Sequence, residues 1–284
     1  MEEFTGIAAL RDRLAVERAS SRRIGLVATM GYLHAGHLSL VDAARRCSDC
    51  VVLSAFVNPL QFGPHEDLGR YPRAPKRDRD LAASRGVDLL FAPSIDEMYP
   101  TGADVRVVAG EVGLRLEGAS RPGHFDGVLT VVAKLFNIVA PDMTCFGQKD
   151  IQQVILIRRM IRDLDFPIRL VVVPIQREPD GLAMSSRNVY LSPAERASAL
   201  ALSRGGRAAV EMWRDGERDA ATLRREVERI LTNEPGVATD YVAIVEPERL
   251  TPVQRAEAGA IVALAARVGN TRLIDNVVLG APQV

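Results

Sequence analysis

Two of the chain's four histidines, His34 and His37, stand three positions apart in the stretch Thr29-Met30-Gly31-Tyr32-Leu33-His34-Ala35-Gly36-His37. An apolar run over 24–30 leads into it and apolar residues at helical spacing follow, so the pair falls where a strand turns into a helix. Gly31 and Gly36 let the backbone turn closely around a guest. A helix N-terminus offers free amide donors and the positive end of the helix dipole, which makes phosphate the natural guest. The imidazoles add donors that can follow charge as it moves. The same dipole disfavours a protonated His37, read here as the residue that begins the helix. Two other readings stand beside this one: ordinary loop and core histidines, or a zinc pair. The zinc reading lacks the H-E-x-x-H context and a third acidic ligand nearby. Neither G-x-x-x-x-G-K-[ST] nor a post-strand G-x-G-x-x-G occurs, so P-loop and nicotinamide chemistry lose their usual signatures.

Further polar groups gather at other strand ends. Asn58 and Gln61 in "FVNPLQF" follow the second apolar run, where an amide either hydrogen-bonds a ligand or caps the strand end. Tyr71 and Arg73 read as a surface turn. His124 in "RPGHFDGV" is a cap or core histidine, or a ligand group. "FGQKDIQQ" repeats the logic of the first motif, with Gly147, Gln148, Lys149 and Asp150 following a strand and opening a helix. Lys149 can sit on a phosphate as a point charge, and Asp150 can be a plain N-cap. Gln153, four residues past Lys149, shares its helical face on that reading. "MSSRN" brings Met184, Ser185, Ser186 and Arg187, whose hydroxyls and guanidinium suit an oligophosphate, or singly a helix cap.

The elements that must position these groups follow from periodicity. Strand-length apolar runs lie at 24–30, 50–57, 87–93, 143–147 and 169–175, continuous rather than alternating, as in strands buried on both faces. Helical patterns separate them at 37–47, 78–86 with Gly86 as C-cap, 126–142 and 150–167. That rhythm predicts a doubly wound parallel α/β sheet with its ligand beyond the carboxyl ends of the strands. After 175 the pattern changes. A polar hinge with Pro179 and Gly181 precedes helices at about 193–214 and 219–232. Three strands that alternate better follow, the last two joined as a hairpin at Gly269-Asn270. The expected organisation is a domain over 1–175, a hinge over 176–184 and a smaller α+β domain over 185–284.

Lys+Arg and Asp+Glu both number 36, and zero net charge argues against sequence-independent nucleic-acid binding. Cys47 and Cys50 form a lone C-x-x-C; without a second pair or a nearby histidine partner, burial beside a strand is the better reading, as for Cys145. An odd cysteine count fits a reducing compartment. "MEEFTGIAALRDRL" lacks a signal-peptide pattern, and no apolar run reaches the about 20 residues of a bilayer span. The expectation is a soluble, cytoplasmic chain. Catalysis on a nucleotide phosphate, a non-catalytic nucleotide-binding module and a metallohydrolase stand as rival classes.

"TMGYLHAGH" resembles the H-x-G-H-type signature of the nucleotidylyltransferase superfamily, and "MSSRN" resembles its second, phosphate-closing signature. Together with "FVNPLQF", "YPR", "HFDGVLTVV", "FGQKD", "DYVAIVEPERL" and "TRLIDNV", in order and spacing, they are similar to the pantoate–β-alanine ligase family over nearly the whole chain. The resemblance implies a Rossmann-like domain with a C-terminal lid domain, in a homodimer. It implies ATP-dependent condensation of pantoate with β-alanine through a pantoyl adenylate, releasing AMP and pyrophosphate. It places Met30, Gly31, Tyr32, Leu33, His34, Ala35, Gly36 and His37 on ATP, with both imidazoles on the phosphates and His37 as proton donor. Gly147, Gln148, Lys149 and Asp150 match the second ATP segment, and Met184, Ser185, Ser186 and Arg187 the closing loop. Gln176 falls where adenine is touched. Gln61 and Gln153 match the glutamines that hold pantoate, Gln61 also lying toward β-alanine. Magnesium would enter with ATP, held mainly by phosphates and water, with Asp78 as an outer partner and no protein metal ligand assigned. The chain departs from the family pattern at Ala28, Tyr32, Ala35, Gln148 and Ile151, none of which removes a reacting group.

Overall fold

Short aliphatic and β-branched segments build the main sheet. The structure, a computed structural model describing residues 1–64 and 66–281, places β1 (Glu2–Phe4), β2 (Ile24–Thr29), β3 (Cys50–Ala55), β4 (Leu89–Phe91), β5 (Met143–Gly147) and β6 (Arg169–Val173) in one sheet. The order is β1-β4-β3-β2-β5-β6, and every pairing is parallel. The chain winds outward from β2 through β3 to β4, then returns to lay β5 on the other side of β2. That reversal puts the topological switch point between β2 and β5, whose carboxyl ends are Thr29 and Gly147. Ligand crevices form at such a point because the flanking connections leave on opposite faces. β2 and β3 are buried along nearly their whole length, as continuous apolar runs require.

The crossovers are α1 (Ile7–Ala19), α2 (Ala35–Cys47), α3 (Pro75–Ser84), the short α4 (Ile95–Met98) and α5 (Glu117–Ser120), α6 (His124–Val139) and α7 (Ile151–Asp163). Val27, Leu33, Leu38, Val41, Leu53 and Leu90 form a core between sheet and helices. Each such side chain contributes about 1.5–3 kcal/mol when fully buried. α3 stops in a Schellman motif: the Gly86 amide donates to Ala83 O at 3.1 Å and the Val87 amide to Ala82 O at 3.1 Å, with Gly86 at φ +73. α6 ends at Ala140, in the left-handed region, just before Pro141.

Several boundaries differ from the pattern reading. β1 and α1 carry no strong sequence signal; β1 is three residues long and relies on β4 for pairing. α2 begins at Ala35 rather than His37, and Gly36 lies inside it rather than in a turn. α6 begins at His124 and stops short of 142.

The chain divides into two compact units: Met1–Gly147 with Gln153–Val173, and Gln148–Gln152 with Pro174 onward. In the second unit β7 (Val237–Val245), β8 (Ile261–Val268) and β9 (Thr271–Val278) form an antiparallel sheet in that order. α8 (Pro193–Arg214) and α9 (Ala220–Thr232) supply Leu202, Leu223 and Val227 to its core. A capping box at Ser192 and Glu195 starts α8, with Pro193 at its first position. The hairpin at Gly269-Asn270 forms as the sequence predicts, with Val268 paired to Thr271. β8 does not alternate, because it is the central strand and lies buried on both faces. The polar stretch after β6 is itself a small hairpin, with an Arg177–Ala183 bridge and the Glu178 amide donating to Leu182 O at 2.8 Å. Among the described residues, no helix is long and apolar enough to cross a membrane.

Candidate active site

The histidine loop is built at the carboxyl end of β2. Thr29 Oγ1 donates to Ser54 O at 2.9 Å and accepts from the Gly31 amide at 3.1 Å, which folds the chain back at the strand tip. Gly31 (φ +77) and Tyr32 (φ +50) both occupy the left-handed region. For a tyrosine that conformation costs on the order of 1 kcal/mol. The carboxylate of Asp78, on α3, holds it there: Oδ2 accepts from the Tyr32 amide and Oδ1 from the Leu33 amide, each at 2.7 Å. Arg77 completes the clamp, donating to Leu33 O at 3.0 Å while its guanidinium lies 5.0 Å from the Tyr32 ring centroid. Asp78 is therefore engaged with the loop backbone, and the amides of Tyr32 and Leu33 point to it.

His34, not His37, is the N-cap of α2. Its Nδ1 accepts from the Gly36 amide at 3.1 Å, so the neutral ring carries its hydrogen on Nε2. His37 lies one turn in, and the two rings stack with centroids 4.0 Å apart and planes at 33°. The spacing that looks like a metal pair in sequence thus produces a stacked pair at a helix N-terminus. Among the described residues, no three His, Cys, Asp or Glu side chains gather into a group that could hold a metal ion.

Gln61 lies beside this loop, its Nε2 donating to Met30 Sδ at 3.2 Å. It sits in a 3-10 turn, Pro59–Gln61, capped by Asn58. Asn58 is 1% exposed, and both ends of its amide are committed to protein groups. Of its two sequence readings, the structure supports the cap. Gly127 of α6 packs against the same turn so closely that a Cβ there would lie 2.2 Å from Leu60 O.

The main chain of Gln61 has its own clamp, which pattern reading leaves out. His124 Nδ1 donates to Gln61 O at 2.8 Å, and Arg121 Nη1 lies 3.0 Å from His124 Nε2. A guanidinium only donates, so Nε2 accepts and the tautomer is fixed. Burial first, and the Arg121 charge second, push the His124 pKa down to about 4. Arg121 in turn binds both oxygens of Glu66, at 2.6 and 2.7 Å. Burial opposes ionisation of Glu66, but the hydrogen bonds from Arg121 outweigh it and hold the carboxyl below its usual range. Tyr71 is buried, its ring 6.0 Å from Phe62 at the edge, rather than a surface turn residue. Arg73 folds back on its own loop, donating to Tyr71 O at 3.1 Å. Cys50 and Cys145 are buried, and burial raises their thiol pKa values to about 11 and about 12.

In the second unit Gln148, Lys149 and Asp150 form a 3-10 turn that leads directly into α7, so Lys149 lies just before the helix rather than on it. Asn276 of β9 fixes that turn, its Nδ2 donating to Gln148 O at 3.0 Å and Lys149 O at 2.9 Å. Asp275 beside it takes a bidentate pair from Arg177 at 2.7 and 3.0 Å. The Met184 amide donates to Gln176 O at 2.9 Å, which closes the small hairpin. Ser185 caps the 3-10 turn Ser186–Tyr190 by accepting from the Arg187 amide at 3.2 Å, and Ser186 is buried.

Comparison with known proteins bears on what this arrangement serves. The family model described as "Pantoate-beta-alanine ligase" matches residues 2–278. The pantothenate synthetase of Moorella thermoacetica is 54% identical over 279 residues, covering 98% of this chain and 99% of that protein. A crystal structure of pantothenate synthetase from Thermus thermophilus superposes with a TM-score of 0.93 at 51% identity, covering 98% and 99% of the two chains. A pantoate-beta-alanine ligase from Francisella tularensis, solved in complex with beta-gamma ATP and beta-alanine, superposes with a TM-score of 0.78 at 33% identity, covering 98% and 97%. The likeness extends through both compact units, and the chain belongs to the pantoate-beta-alanine ligase family.

Proposed function

We propose that the chain joins (R)-pantoate to β-alanine in two steps at the carboxyl end of β2. In the first, a pantoate carboxylate oxygen attacks the α-phosphorus of ATP; an O–P bond forms, the bond to the leaving oxygen breaks, and pyrophosphate departs. In the second, the β-alanine amine attacks the acyl carbon, the acyl C–O bond breaks, AMP leaves and the amine sheds a proton. The substrates supply every atom that changes bonding, so the protein's task is alignment and charge neutralisation. The observation that carries this reading is the stacked imidazole pair at the N-terminus of α2, with the Gln61 amide beside it. His37 and His34 meet the phosphates, helped by Lys149 and Arg187. Gln61 and Gln153 hold pantoate, and Gln61 also faces β-alanine. Binding of ATP and beta-alanine by the Francisella protein supports the substrate set.

Magnesium arrives as part of the nucleotide substrate, held by phosphate and water. Residues 185–284 act as a lid on the hinge 176–184, where Gly181 (φ +95) supplies backbone freedom. The chain works as a cytoplasmic homodimer. Three free thiols fit a reducing compartment, and the exposed Val105, Val108 and Leu114, gathered in one segment, suit a partner copy. Incubation with ATP and pantoate carrying 18O in its carboxylate, with β-alanine added, tests the chemistry. One 18O in the AMP formed, together with pantothenate by mass, is the expected result. Unlabelled AMP would overturn the adenylate route.

A further inference from the structure

A glutamine amide has a donor end and an acceptor end, and a substrate meets whichever end the protein leaves over. At Gln61 that choice is made three residues away. Asn58 Oδ1 accepts from the Leu60 amide at 3.2 Å and from the Tyr99 hydroxyl at 2.9 Å. Asn58 Nδ2 donates to Gly127 O at 3.0 Å and to Gln61 Oε1 at 3.1 Å. The two backbone partners cannot exchange donor and acceptor roles, so the Asn58 amide has one satisfied orientation. Burial pushes the Tyr99 pKa up to about 12, so its hydroxyl keeps the hydrogen it donates. Gln61 Oε1 is thereby engaged and turned toward Asn58. Gln61 Nε2 is left facing Met30 Sδ at 3.2 Å, a weak acceptor that a substrate oxygen outcompetes. The hydroxyl is delivered from a firm base: Met98 before it is fully buried, and Glu97 Oε1 accepts the Ile7 amide at 2.6 Å.

We propose that Tyr99 is a positioning residue: its hydroxyl holds in place the Asn58 amide that the backbone groups orient, so that Gln61 keeps presenting N–H donors to an anionic substrate. This rests on the reading that Gln61 holds pantoate. A carboxylate oxygen of the acid, which can only accept, would be repelled by Oε1 and bound by Nε2–H. Nothing local in the sequence links the three residues, since Tyr99 lies 41 positions beyond Asn58.

The experiment is Tyr99→Phe, which keeps the ring and removes the hydroxyl, assayed by steady-state pyrophosphate release and by calorimetric binding of pantoate. The expected result is a loss of about tenfold in pantoate kcat/KM, carried by KM, with the ATP KM within about twofold of wild type. Gln61→Ala also raises the pantoate KM, and Tyr99→Phe added to it changes that KM by less than about twofold, as two residues acting as one unit require. Asn58→Asp keeps the acceptor for Tyr99 but loses the donor to Gln61 Oε1, so its pantoate binding falls further than that of Tyr99→Phe. Equal rises in the ATP and pantoate KM, or a full additive effect of Tyr99→Phe in the Gln61→Ala background, would overturn the proposal as merely structural. An unchanged pantoate affinity in Gln61→Ala would instead sink the substrate assignment beneath it.

Discussion

The histidine loop and the Asn58–Gln61 turn stand side by side at the tips of β2 and β3, yet they are held in different ways. The loop combines ties between sequence neighbours, Thr29 to Gly31 and His34 to Gly36, with remote ones from Ser54 and Arg77. Asp78 on α3 adds a carboxylate clamp from afar. The turn depends on Tyr99, Gly127, His124 and Arg121, between 41 and 69 residues away from the groups they hold. Local ties form with the strand-to-helix turn itself. Remote ties form only when α4 and α6 have packed. The first region should therefore respond to substitution mainly through chemistry, and the second mainly through geometry.

The largest effect tests the chemical side. His37→Ala, and independently Lys149→Ala, should cut pyrophosphate release with ATP and pantoate by about 10²–10³, the usual cost of losing a transition-state donor. The melting midpoint should move little; near-normal release in both would break the contrast. Next comes the loop's remote clamp. Asp78→Ala leaves the Tyr32 and Leu33 amides without their carboxylate, at a cost on the order of 3 kcal/mol in denaturant unfolding. No loss of stability there would mean that the loop holds itself.

The turn can be probed by pH. His124 has a native pKa of about 4 against an ordinary 6.5, so the unfolded chain binds the extra proton between those values. Stability from this group is intact above about pH 6.5 and declines as pH falls toward 4, by on the order of 2–3 kcal/mol. His124→Asn should flatten unfolding free energy across that window; an unchanged slope would remove the clamp from the account. Smallest is Gly127→Ala, whose methyl must displace Leu60 O and the Gln61 amide nitrogen, 2.7 Å from the added carbon. About 1–3 kcal/mol of stability should be lost, together with a raised pantoate KM. A KM equal to wild type would show that the turn tolerates movement.

Legibility follows the same division. The apolar runs became β2 to β6 because strands buried on both faces must be continuously apolar, and the first motif landed at a strand end for that reason. β1 escaped notice because three residues hold no period. The histidine pair was legible as an anion-suited helix start, though the cap fell to His34 because its Nδ1 reaches the Gly36 amide. Asn58 and His124 each had two readings, and in the structure both hold Gln61, Asn58 through its buried side-chain amide and His124 through Nδ1. Lys149 was expected on the helix, and the structure puts it in the 3-10 turn that leads into it.

Residue order by itself determined the parallel α/β rhythm, the glycine-permitted turn after β2 and the cast of phosphate-suited groups, since each depends on periodicity or on contacts a few residues long. Tertiary structure alone decided which polar groups are taken up by the protein itself. Asn58 and His124 carry a ligand reading in sequence, yet they, with Asp78 and Arg121, are bound to backbone or to neighbouring side chains, because polar groups taken from water must find partners wherever the fold brings them.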